Sequence, residues 1–130
     1  MKLLKITSIA LLFLIVSCSK SDDDNVSASS INPPDWIIGT WMNSFDIGGF
    51  RFSEDDVILV TTSSETSWKE LVKIGENTPS EFVVEESSFD SSYNVSFTTS
   101  GVTTFYEFTK ISESVIEYGS GVLATELFKQ

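Results

Sequence analysis

Histidine is absent from this chain of 130 residues, and cysteine and arginine occur once each, as Cys18 and Arg51. Each shortage removes a class of chemistry. Without an imidazole, the most common general base and a frequent zinc ligand are both missing. One cysteine cannot close an internal disulfide, so a folded domain must be held by packing alone. Basic residues are few: eight Lys and Arg stand against 19 Asp and Glu, for a formal charge of −11. That sign opposes a phosphate backbone, and nucleic acid is not an expected partner. Long apolar runs are lacking as well. The longest, Ile9 to Val16, has eight residues, whereas a helix that spans a bilayer needs ~20.

That short run suits an export signal instead. Lys2 and Lys5 precede it, small Ser17 follows it, and Cys18 comes next; a basic n-region, a brief apolar h-region and a small residue at the cut define such a segment. The stretch Leu14-Ile15-Val16-Ser17-Cys18 resembles a bacterial lipobox. In lipoproteins of that kind the cysteine sulfur carries a diacylglycerol, the chain is cut before it, and the new amine is acylated. The resemblance implies a signal peptide over residues 1–17, lipidation at Cys18, and a membrane as partner through that anchor. Buried acyl chain contributes ~0.8 kcal/mol per CH₂, so two or more chains anchor stably. Lys20-Ser21-Asp22-Asp23-Asp24 resembles the acidic surface-export signal of one group of Gram-negative, glycan-degrading bacteria. It implies the outer membrane, at the cell surface.

Residues 18–35 read as the lipidated cysteine and a disordered acidic linker. Ser, Asp and Asn dominate there, and Val26, Ala28 and Ile31 are isolated, too little apolar surface to offset the entropy of ordering. Residues 36–130 read as one domain. Its dominant period is two. Ser92 to Thr98 alternates strictly and sets Tyr93, Val95 and Phe97 on one face, and Phe50 and Phe52 flank Arg51 likewise. Ile116 and Tyr118 share a face, as do Leu123 and Leu127 of an expected last strand, while Val57–Thr61, Phe82–Val84 and Thr103–Lys110 are rich in β-branched and aromatic residues. Gly48-Gly49, Thr99-Ser100-Gly101 and Gly119-Ser120-Gly121 supply short turns, which favour antiparallel neighbours. One segment departs from this. Ser67-Trp68-Lys69-Glu70 fits a capping box, Trp68, Leu71 and Val72 follow at helical spacing, and Gly75 stands where a C-terminal cap belongs. A short helix over Trp68 to Ile74 is expected, between the third and fourth strands, with a strand carrying Trp68, Val72 and Ile74 on one face as the alternative.

The class expected is all-β: a small antiparallel barrel of seven to eight strands with one short helix, with a β-sandwich as the alternative. Closure would remove exposed strand edges. Trp36-Ile37-Ile38-Gly39-Thr40-Trp41 resembles the G-x-W entry to the first strand of lipocalin-like proteins, carried by Gly39 and Trp41. Phe105 to Lys110, Ile116 and Leu127-Phe128-Lys129 are similar to the last strands of small lipocalin-like domains on bacterial lipoproteins. Larger lipocalins often lay an arginine over the motif tryptophan. The only arginine here, Arg51, lies in an early strand, so either Lys110 or Lys129 takes that place or the contact is absent.

Catalysis has little to stand on. Glu54-Asp55-Asp56 and Glu85-Glu86 are neighbours, and adjacent residues of a strand point to opposite faces. Neither Asp22-Asp23-Asp24 nor Glu54-Asp55-Asp56 has the alternating ligands and central glycine of an EF-hand loop. No catalytic residue, metal site or cofactor is expected, and the chain is not read as an enzyme. Two functions from different classes remain. One is a surface-anchored binding module for a small apolar molecule or glycan fragment, with Trp68, Tyr93 and Phe97 as candidate ligand contacts and Trp68 as a lid. The other is a filled barrel that docks an envelope or host protein, as an inhibitor would.

Overall fold

A computed structural model describes residues 30–77 and 82–130. The export signal and Cys18 lie outside the described residues, as does most of the linker. From the N-terminus the elements are a 3₁₀ turn at Asp35–Ile37, β1 (Gly39–Met42), β2 (Gly48–Ser53), β3 (Asp56–Thr61), β4 (Glu65–Ser67) and helix α1 (Trp68–Gly75). Then come β5 (Phe82–Ser88), β6 (Ser92–Thr99), β7 (Val102–Lys110), β8 (Val115–Tyr118), a 3₁₀ turn at Gly121–Leu123 and β9 (Thr125–Lys129). Every pairing is antiparallel, and one sheet results, in the order β4-β3-β2-β1-β9-β8-β7-β6-β5.

The sheet is two meanders joined by their terminal strands. Trp41 and Met42 of β1 pair with Lys129 and Phe128 of β9, so the two ends of the domain close against each other at mid-sheet. The free edges are β4 and β5, which are consecutive in the chain, and α1 lies between them against β3 and β5. The sheet therefore curls into an open half-barrel with a helix at its gap. This corrects the expected seven to eight strands: the described residues form nine, and the barrel stays open between β4 and β5. A sandwich needs two sheets facing each other, and the described residues form a single sheet.

Alternation decides what lines the concave face. Trp41, Phe50, Phe52, Val57, Tyr93, Phe108, Ile116 and Leu127 are each 3% exposed or less. Phe108 meets both Phe50 and Phe52 edge to face at 5.0 Å, a geometry that ring quadrupoles favour, and Tyr93 stacks on it in an offset pair at 6.2 Å. Helix α1 begins where Asp56 of β3 meets the Ser67 N-cap. Ser67 Oγ accepts from the Glu70 amide at 3.1 Å and donates to Asp56 Oδ2 at 2.6 Å, while Asp56 Oδ1 accepts from the Lys69 amide at 2.9 Å. Two of the orphan amides of the first turn are thus satisfied.

Three local expectations change. The helix follows a fourth strand, not a third, because exposed Glu65-Thr66-Ser67 pairs with β3. Gly75 does not end the helix by a left-handed turn. It is the last helical residue, buried where a Cβ would lie 2.2 Å from Phe82 Cδ2, so its missing side chain lets β5 approach. Leu123 does not share a strand face with Leu127. It sits in the 3₁₀ turn at 85% exposure, and β9 starts two residues later.

Packing also begins earlier than residue 36. Ile31 and Pro33 are buried and Ile37 is fully so. A buried isoleucine contributes ~1.5–3 kcal/mol, too little to order a segment at ~1–2 kcal/mol per residue. Hydrogen bonds are needed as well. The Asn32 amide donates to both Glu86 carboxylate oxygens at 3.0 Å, Trp36 Nε1 donates to the Phe89 carbonyl at 3.2 Å, and Trp41 Nε1 donates to the Ile37 carbonyl at 2.6 Å.

Candidate functional site

The register gives the half-barrel two unlike ends. At one end lie the β2–β3, β5–β6 and β7–β8 connections, and residues 31–38 pack across it. At the other lie the loops 43–47, 62–64, 100–101 and 119–124 and the end of α1, where Gly75 abuts Phe82, and a recess opens among them. The first end is plugged; the second is a mouth.

A recess of about 350 Å³ opens at the mouth, lined chiefly by Phe50, Leu59, Tyr106, Tyr118 and Leu127. Each element places its residue by the period of two: Phe50 on β2, Leu59 on β3, Tyr106 on β7, Tyr118 on β8 and Leu127 on β9 all face inward. The rings form one cluster, with Phe50 5.1 Å from Tyr118 and 5.8 Å from Tyr106, and the two tyrosines stacked at 6.1 Å. Among the described residues neither tyrosine hydroxyl makes a hydrogen bond. Burial pushes the Tyr106 phenol above its usual value, and the Tyr118 phenol adds to the shift; a phenolic hydroxyl can donate or accept. Below this recess the interior is filled by aromatic rings. The rim is apolar too: Phe45, Ile47, Val122 and Leu123 are more than half exposed on its loops.

The residues singled out from sequence fall elsewhere. Trp68 is 3% exposed, stacked on Phe97 at 5.8 Å and tilted against Tyr106 at 4.6 Å, and it seals the gap between β3 and β5 from within. Tyr93 is fully buried and donates its hydroxyl to Glu86; Phe97 is 8% exposed. None of the three lines the mouth. Trp68 touches the site only through Tyr106. Aromatic identity marks a large side chain without saying which end of a strand is covered, and coverage here depends on residues 31–38, the first five of them read as linker. Tyr118, Phe50 and Leu127 were visible as strand-face residues, and nothing in their spacing distinguishes mouth from floor.

The first-strand motif has a defined setting. Gly39 opens β1 at φ 131°, a conformation open to glycine, and Trp41 fills the core two residues on. Lys129 Nζ lies 5.3 Å from the centroid of the Trp41 ring, within cation–π range. Of the two lysines considered, Lys129 is the one over the ring. Lys110 pairs with Glu113 at 2.6 Å instead.

The carboxylate runs divide as strand geometry requires. Glu86 faces inward to Tyr93 and Glu85 outward; Asp56 caps α1, and Asp55 pairs with Lys69. Among the described residues no group of three His, Cys, Asp or Glu is arranged to hold a metal, and no helix is long and apolar enough to cross a membrane. No protein-family model matches this chain, and no curated protein or solved structure matches it.

Proposed function

We propose that this chain is a lipid-anchored surface binding protein whose lipocalin-like half-barrel holds a small, largely apolar molecule in its mouth. The recess at the unplugged end carries this reading: about 350 Å³ lined by Phe50, Leu59, Tyr106, Tyr118 and Leu127, at the small end of the range for ligand sites, ~300–1,000 Å³. Apolar walls supply the affinity, and the two unpartnered tyrosine hydroxyls orient a single polar group. The lipobox-like cysteine supports the anchor, and the acidic stretch after it supports the outer surface. Titration with the neutral fluorophore N-phenyl-1-naphthylamine tests the pocket. Fluorescence rises and saturates at one equivalent in the natural chain, and Leu59→Trp, which fills the mouth, abolishes the rise. A linear, unsaturable response, or one untouched by Leu59→Trp, rejects this site.

The exposed apolar rim favours a second reading, in which Phe45, Ile47, Val122 and Leu123 seat an envelope or host protein over the mouth. In that case the rim substitutions Phe45→Ser and Leu123→Ser remove partner binding while leaving fluorophore uptake intact.

A further inference from the structure

The convex face of the sheet holds a second array, remote from the mouth in that its side chains point away from the core. On β6, Tyr93, Val95 and Phe97 turn inward, so Asn94 and Ser96 turn outward. Register aligns them in two rows across three strands: Glu85, Ser96 and Phe105 in one, Ser87, Asn94 and Glu107 in the other. These six side chains line a groove of about 370 Å³. Phe105 is 75% exposed, its ring standing bare on the strand face. Ser96 is only 7% exposed, and its side chain makes no hydrogen bond among the described residues, but its hydroxyl is not sealed off within the protein. The other five make no side-chain hydrogen bond or ion pair either, whereas Arg51–Glu65, Lys69–Asp55 and Lys110–Glu113 are paired elsewhere on the surface. These polar side chains are open to solvent and engaged with no other side chain of the protein, and beside a bare ring they leave donors, acceptors and an apolar face for a ligand.

The chemistry of the array selects the ligand. Two carboxylates repel anions. An ammonium ion would use the carboxylates but leave the amide N–H of Asn94 and the two serine hydroxyl protons without acceptors, since it only donates. A polyhydroxylated ring donates and accepts at every hydroxyl and presents an apolar C–H face to an aromatic ring. We infer that the outer face of β5–β7 is a binding site for a neutral saccharide, which stacks on Phe105 and hydrogen-bonds to Ser96, Asn94, Glu85 and Glu107. It is separate from the mouth and does not depend on what the mouth binds.

Calorimetric titration of the full chain with cellohexaose, xylohexaose and maltohexaose, and with trigalacturonate as the acidic counterpart, tests this. At least one neutral hexasaccharide binds and trigalacturonate does not. Phe105→Ala and Asn94→Ala, both on the outer face, each weaken binding about tenfold or more, the scale of one lost contact of this kind, with circular dichroism unchanged. Leu59→Trp, inside the mouth, leaves saccharide affinity as it was. Failure of all three neutral sugars to bind overturns the inference, as does equal affinity for trigalacturonate. It is also overturned by natural affinity in both outer-face variants, or by loss of binding in Leu59→Trp.

Discussion

Tyr93 shows how much one buried side chain sets in this domain. It fills the floor of the half-barrel between Phe52 and Phe108, and its hydroxyl donates to Glu86, whose carboxylate also accepts the Asn32 amide. Floor, edge strand and plug meet in one hydrogen-bonded group. Burial, reinforced by the Glu86 carboxylate, holds the Tyr93 phenol far above its usual value. The folded state therefore keeps a proton that the unfolded chain releases near pH ~10, and the contribution to stability is complete below that pH and lost as pH rises beyond it. Urea midpoints measured from about pH 8 to about pH 11 should fall steeply above ~10 in the natural chain. In Tyr93→Phe the fall should be shallower, with the remainder coming from Tyr106 and the other titrating groups. Equal slopes would mean that the phenol is not shielded. On the acid side the lowered carboxyls, Asp55 beside Lys69 and Glu113 beside Lys110, are fully exposed. Their stabilisation, present above the usual carboxyl range and lost below it, is weakened by solvent screening.

Among the elements, α1 depends most on a residue outside itself. Glu70, three residues after the Ser67 N-cap, invites the reading of a reciprocal capping box. In the fold, Asp56 of β3 takes the Lys69 amide and the Ser67 hydroxyl, and so ties the helix to the sheet beside the gap it fills. A hydrogen bond to a charged group is worth ~1.5–3 kcal/mol and an N-cap ~0.5–2 kcal/mol. Asp56→Ala should therefore cost about 2 kcal/mol in urea unfolding, while Glu70→Ala stays within about 0.5 kcal/mol, as an exposed substitution does. The reverse ranking would return the cap to Glu70. Sequence reads the elements unevenly for the same reason. β6 is legible because Ser92 to Thr98 alternates between core and surface, and α1 because its apolar residues recur at helical spacing. β4 is not, since Glu65-Thr66-Ser67 has no buried face of its own and exists through pairing with β3 and the Arg51–Glu65 pair at 2.5 Å. Openness is not legible either: alternation says that a strand has an inner face, and only the pairing of β1 with β9 sets where the sheet breaks. Phe105 was plain as an aromatic in a β-rich run; its outward turn follows from which of its neighbours, Tyr106 and Phe108, enter the core.

At the scale of the whole molecule, the plug and the mouth give the domain a direction. Residues 31–38 cross one end and continue into β1, so the chain before them departs from the plugged end. With the proposed anchor at Cys18, the twelve residues from Ser19 to Ser30 reach at most about 40 Å at ~3.3–3.6 Å per residue. The full chain's net charge of −11 becomes still more negative once Lys2 and Lys5 leave with the signal peptide, and it is repelled by anionic lipid within a screening length of ~8–10 Å. A domain held by its plugged end and pushed from the surface presents its mouth outward, to ligands arriving from outside and not to the bilayer that anchors it. Two exposed positions report this orientation: Ile111 on the β7–β8 connection at the plugged end, and Leu123 on the rim, 54% and 85% exposed. In the lipidated protein on anionic vesicles, a fluorophore at Ile111→Cys should be quenched by headgroup-borne quencher more strongly than one at Leu123→Cys. Added salt should raise both by letting the domain settle closer, without reversing their order. Stronger quenching at Leu123→Cys would turn the apolar rim toward the membrane, and the recess would then draw its ligand from the lipid itself.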